Sequence, residues 1–99
     1  MTLQELIEKA CVLFKIKERD LYTKVRNVNI IYARCIIWYA MKNHLKIKAS
    51  IIANNFNKTP ATVSYGLRMI ERERKYGNRM VAEFMDKIDN EGVTYGDKI

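Results

Sequence analysis

Residues 49–70 read ASIIANNFNKTPATVSYGLRMI. Ile52 and Phe56 stand four apart ahead of Asn57, a residue type that tolerates the left-handed conformation at a helix end. Thr59 and Pro60 follow. A threonine hydroxyl caps a new helix well, and proline suits its first position because the missing N–H has no intrahelical partner there. The spacing of Val63, Leu67 and Ile70 predicts that this second helix buries one face, and Gly77 ends it. Two short helices joined through an Asn turn, with small Ala53 where they approach, make the pattern of a helix-turn-helix.

Upstream, Thr2 and Glu5 form a capping box ahead of Leu3, Leu6, Ala10 and Leu13, which share one face of a first helix ending near Phe14. "KERDLYTK" predicts a short helical turn, and "VRNVN" breaks the pattern. "NIIYARCIIWYAMKNHL" then predicts a central core helix, with Ile30, Ala33, Ile37, Ala40 and Met41 on one side and an apolar circumference that needs cover on several sides. Downstream, a last helix over about 78–89 carries Met80, Val81, Phe84, Met85 and Ile88 on one side. That face either closes the core or joins two copies as a homodimer through Met80, Phe84, Met85 and Ile88. The expected fold is all-α: a single helical bundle over residues 1–90 containing a helix-turn-helix, an added C-terminal helix, and a tail over 91–99.

The 99 residues carry a net charge of +7, which is unevenly distributed. Residues 1–20 hold four cations and four acids; residues 71–99 hold six cations and seven acids. Residues 21–70 hold Lys24, Arg26, Arg34, Lys42, Lys46, Lys48, Lys58 and Arg68 and no acid. An ordinary solvated surface intersperses both signs, so fifty residues without a carboxylate point to a polyanionic partner. Nucleic acid outranks a membrane, because no segment pairs a basic face with a broad Trp/Phe/Leu face. No stretch reads as a membrane span, signal peptide or lipidation site, so a soluble, cytoplasmic protein is expected.

Little in the sequence suggests catalysis. One histidine (His44), no paired carboxylates at a shared site and no activated Ser or Cys arrangement leave an enzyme the weakest reading. Cys11 and Cys35 are isolated and read as reduced core residues; no metal or cofactor is expected. A helix-turn-helix places the start of its second helix in the major groove, where short side chains allow close approach to base edges and longer cations meet phosphates. Thr59, Pro60, Ala61, Thr62, Ser64 and Tyr65 fit the first requirement; Lys58 and Arg68 fit the second. Thr-Pro-x-Thr also opens helices that touch no DNA, and Tyr65 reads equally as a groove contact or as packing on a neighbouring helix. Trp38 and Tyr39, on an apolar helix, read as core rather than as platforms for bases.

From about Leu6 to Ile70 the chain resembles the C-terminal DNA-binding domain of the bacterial replication initiator DnaA. "DLYTKVRN" is similar to that family's basic loop, "YARCIIWYAMK" to its long helix, and "IIANNF" with "TPATVSYGLRMI" to its helix-turn-helix. The resemblance implies that Lys24 and Arg26 lie on the DNA backbone and that Arg34 enters the minor groove. It also implies that Thr59, Pro60, Ala61 and Thr62 occupy base-reading positions. Thr59 and Pro60 replace the family's Asp and His, Val28 and Tyr32 stand where arginines are usual, and the turn is one residue shorter. These departures argue for a target other than the family's usual sequence box. The resulting expectation is sequence-specific binding of double-stranded DNA by a stand-alone regulator or origin-site binder without ATPase activity, of bacterial or phage type. The competing expectation is a protein-interaction adaptor that keeps the fold and has lost base readout.

Overall fold

The computed structural model describes residues 1–96, and over these the chain forms five α-helices and one 3-10 turn. Helix α1 (Leu3–Phe14) opens on the expected capping box: the Glu5 N–H donates to Thr2 Oγ1 at 3.1 Å, and the Thr2 N–H donates to Glu5 Oε1 at 3.0 Å. The bond from the Thr2 N–H, together with the Thr2 hydroxyl, holds the Glu5 carboxyl below its ordinary range by favouring the charged form. Lys15, at φ 58°, ends the helix in the left-handed conformation. The 3-10 turn Glu18–Tyr22 follows and buries Leu21.

Helix α2 (Val28–Asn43) starts where Asn27 caps the Asn29 N–H at 2.8 Å. Every residue from Ala33 to Met41 is buried, so this helix runs through the centre of the core as its apolar circumference requires. Helix α3 (Ala49–Asn55) turns Ile52 and Ala53 inward, with Phe56 buried at its end, and packs against α4 (Pro60–Tyr76). Val63, Gly66 and Ile70 form the buried stripe of α4, while Leu67 is only half-buried. Trp38, T-shaped against Phe56 with ring centroids 5.7 Å apart, joins α2 to the end of α3.

Gly77 ends α4, and Asn78 accepts from the Met80 and Val81 N–H groups to begin α5 (Arg79–Glu91). Val81, Phe84, Met85 and Ile88 are buried, because α5 packs against α4 and α2. This settles the choice left open by the sequence: the proposed dimer face is spent within the chain, and of Met80, Phe84, Met85 and Ile88 only Met80 is exposed. A polar cluster joins the same elements. Arg74 donates to Asp86 at 2.6 Å, to Asp89 at 2.7 Å and to the Tyr39 hydroxyl at 3.2 Å. The Tyr39 hydroxyl donates to Asp89 at 2.9 Å, and His44 Nε2 lies 2.8 Å from the same carboxylate.

Of the expected tail over 91–99, the first residues belong to the fold. Glu91 is still helical, Val93 is buried, and Thr94 forms a parallel bridge with Thr2. The Thr94 N–H donates to the Met1 carbonyl at 2.9 Å and the Leu3 N–H to the Thr94 carbonyl at 2.8 Å. Residues 97–99 lie outside the described residues. Among the described residues, no helix is long and apolar enough to cross a membrane.

Candidate nucleic-acid interface

The turn between α3 and α4 forms by local chemistry. Asn57 takes φ 60°, and the Lys58 N–H reaches back to the Ala53 carbonyl at 2.8 Å, which also accepts the Phe56 N–H at 3.2 Å. Thr59 Oγ1 then accepts the Thr62 N–H at 3.2 Å and lies 2.9 Å from Thr62 Oγ1. One of the two hydroxyl hydrogens is consumed in that mutual bond, leaving the other to donate outward. Thr59, Pro60, Ala61 and Thr62 are all exposed, so among the described residues no other element covers the start of α4. Ser64 is half-buried and Arg68 exposed. Ala61, Tyr65 and Arg68 follow one another at helical spacing, so they share a face beside Thr62.

Next to this helix start lies a cleft of about 210 Å³. Its cationic lining comprises Lys24, Arg26, Arg34 and Lys58, with Thr62 and Tyr65 contributed by α4. Trp38 and Cys35 of α2 and Gly66 and Met69 of α4 supply its less polar surface. None of its lining residues is acidic. Burial lowers the Lys58 pKa, and Arg34, Lys24 and Arg26 lower it further by repulsion, so the four cations sit within electrostatic reach of one another. Tyr65 is 62% exposed and lines the cleft; it is not packed beneath a neighbouring helix.

The structure thus gathers Lys24, Arg26, Arg34, Lys58, Thr62 and Tyr65 around one cleft. Thr59, Pro60 and Ala61 sit at the exposed helix start, outside its lining. Lys42, Lys46 and Lys48, also in the acid-free stretch, do not line the cleft; they belong to the end of α2 and the connection to α3.

Arg34 is placed unlike the other cations of the cleft. It is 7% exposed, the buried charged side chain among the described residues. Its Nε donates to the Leu21 carbonyl at 2.9 Å and its Nη2 to the Thr23 carbonyl at 3.0 Å, with the Asp20 carbonyl at 3.5 Å. A side chain committed to carbonyls beneath the loop is not extended for insertion into a minor groove. Burial also lowers its pKa, the expected direction for a cation withdrawn from water.

Sequence reasoning missed the apolar contribution to the cleft, Gly66 above all. A Cβ placed there would meet Cys35 Sγ at 2.9 Å and Trp38 Cζ3 at 2.9 Å. A lone glycine inside an amphipathic helix was the available signal, since it marks close approach of another element.

The Bacterial dnaA protein helix-turn-helix family matches residues 3–70. Among curated proteins, the chain is 27% identical over 89 residues to the chromosomal replication initiator protein DnaA of Thermotoga petrophila, covering 90% of this chain and 20% of that protein. It is 22% identical over 85 residues to the protein of the same name from Pseudothermotoga lettingae, covering 86% and 19%. The Thermosipho africanus protein of that name is 26% identical over 86 residues, covering 87% and 20%. The chain therefore spans about one fifth of the length of these relatives. With the matched region running from the first helix through Ile70 of α4, the chain belongs to the bacterial DnaA helix-turn-helix family.

Proposed function

We propose that the domain binds double-stranded DNA sequence-specifically, as a regulator or origin-site binder. In this reading the first turns of α4 enter the major groove. Thr59, Pro60, Ala61 and Thr62 approach base edges through methyl groups and the remaining hydroxyl donor, with Tyr65 at the rim. Lys24, Arg26, Lys58 and Arg68 meet phosphates, which fix the register of the helix on the duplex. The observation that carries the reading is the uncovered start of α4 beside a cleft ringed by four cations and lacking an acid.

A randomised duplex pool titrated with the protein at several salt concentrations, followed by sequencing of the retained DNA, tests it. Four phosphate contacts give a slope of log affinity against log salt of about −4, and the retained pool should converge on a common sequence. Enrichment without a common sequence would leave backbone binding alone. A salt-independent response with no retained DNA would overturn the reading in favour of a protein-interaction adaptor.

A further inference from the structure

The loop carrying Lys24 and Arg26 has little internal support. Among the described residues, the bonds over 23–26 other than those from Arg34 are those of Thr23: the Thr23 N–H and hydroxyl donate to the Asp20 carbonyl at 3.3 and 2.9 Å, and the Val25 N–H reaches Thr23 Oγ1 at 3.4 Å. Asn27 closes the loop as the cap of α2. Lys24, Val25 and Arg26 between these anchors are exposed. Electrostatics work against the arrangement, because two exposed cations are held near Lys58 and Arg34 with no acid in the cleft lining. Unopposed, like charges would swing the loop outward. Arg34 opposes this directly. Its planar fork bonds the Leu21 and Thr23 carbonyls from below, gripping the chain immediately before Lys24.

We propose that Arg34 is a positioning residue for the DNA site, acting through the loop: its bonds to the Leu21 and Thr23 carbonyls hold Lys24 and Arg26 at the cleft they share with Lys58, where all three meet phosphates. The proposal rests on the DNA-binding reading and assigns Arg34 no contact with the duplex. A lysine cannot replace it, because one flexible ammonium does not reproduce two donors in a fixed fork.

Equilibrium binding of a duplex selected from the random pool, measured over a salt series, tests this for the full chain, R34M, K24A/R26A, and the variant combining all three substitutions. R34M is expected to weaken binding by about tenfold or more and to flatten the salt slope by about 1.8, the share of two phosphate contacts. If Arg34 acts through the loop, adding R34M to K24A/R26A weakens binding no further. Amide relaxation and hydrogen exchange should show Lys24, Val25 and Arg26 loosened in R34M while α4 keeps its protection. R34K, the milder variant, should bind with intermediate affinity, which keeps the test available if R34M does not fold.

Equal losses from R34M in both backgrounds, full affinity in R34K, or an unchanged loop would overturn the positioning role while leaving DNA binding intact. Failure of the unsubstituted chain to retain any duplex would sink the DNA-binding reading itself, and the positioning role with it.

Discussion

At Gly66 the second helix of the motif meets α2 through bare backbone, and the side chains it faces, Cys35 and Trp38, are both buried. Burial also pushes the Cys35 thiol up to about 12, so it is held as a neutral packing group. Gly66→Ala brings two opposing effects. Alanine favours a helix interior by about 1 kcal/mol, whereas forcing a methyl against a rigid indole costs about 1–3 kcal/mol. Packing should win, with a net loss of about 1 kcal/mol in urea unfolding; a variant as stable as the parent would mean that the helices separate at little cost. Ala61 lies on the exposed side of the same helix, with no core neighbour to disturb. Ala61→Ser should leave stability and salt slope unchanged while shifting the sequence retained from a random duplex pool, because it alters the group offered to a base edge.

Among the elements, α5 is the one whose attachment the sequence left undecided. Its apolar stripe was legible, but a stripe does not say whether it is covered by its own chain or by a second copy. The contacts that answer the question join residues far apart in sequence, such as Tyr39 with Asp89 and Arg74 with Asp86. Burial acts to raise the Asp89 pKa, but the bonds from His44, Arg74 and Tyr39 outweigh it and leave the carboxyl below its ordinary value. Arg74 is likewise desolvated yet raised overall by Asp86, Asp89 and Tyr39. A carboxyl whose pKa is depressed by folding contributes stability above the unfolded value of about 3.9 and loses it as pH falls through the folded value. Asp89→Asn should therefore lower the melting temperature at pH 7, and the gap from the parent should narrow below about pH 4. A gap independent of pH from 7 to 3 would show that the charge of Asp89 contributes nothing to docking α5. Helix starts, by contrast, were legible because their chemistry is local: Thr2 with Glu5, Thr59 with Pro60, and Asn78 each sit within a few residues of the groups they cap.

Taken whole, the molecule separates its charges. The cleft lining is cationic and free of acids, whereas Asp86 and Asp89 of α5 and Glu71 of α4 neutralise or approach Arg74 away from it. In the DNA-binding reading, such a field would orient the domain on the duplex before any close contact forms. That cations would cluster was legible from fifty residues without a carboxylate. Which of them would converge was not: Lys42, Lys46 and Lys48 share the stretch but lie outside the cleft lining, and Arg34 turns under the loop to bond the Leu21 and Thr23 carbonyls, residues eleven to thirteen positions away in sequence. The bridge between Thr2 and Thr94 was equally hidden, since neither residue carries a local sign of the other. The cleft has a further property of practical use. The chain's one tryptophan, Trp38, lines it while remaining 2% exposed, and its indole N–H is buried without a protein acceptor among the described residues. The domain thus carries an optical sensor at the wall of its cationic cleft: its emission should be that of a dry indole and, if the cleft receives DNA as proposed, should change in intensity or wavelength as a duplex is titrated in, with no label attached.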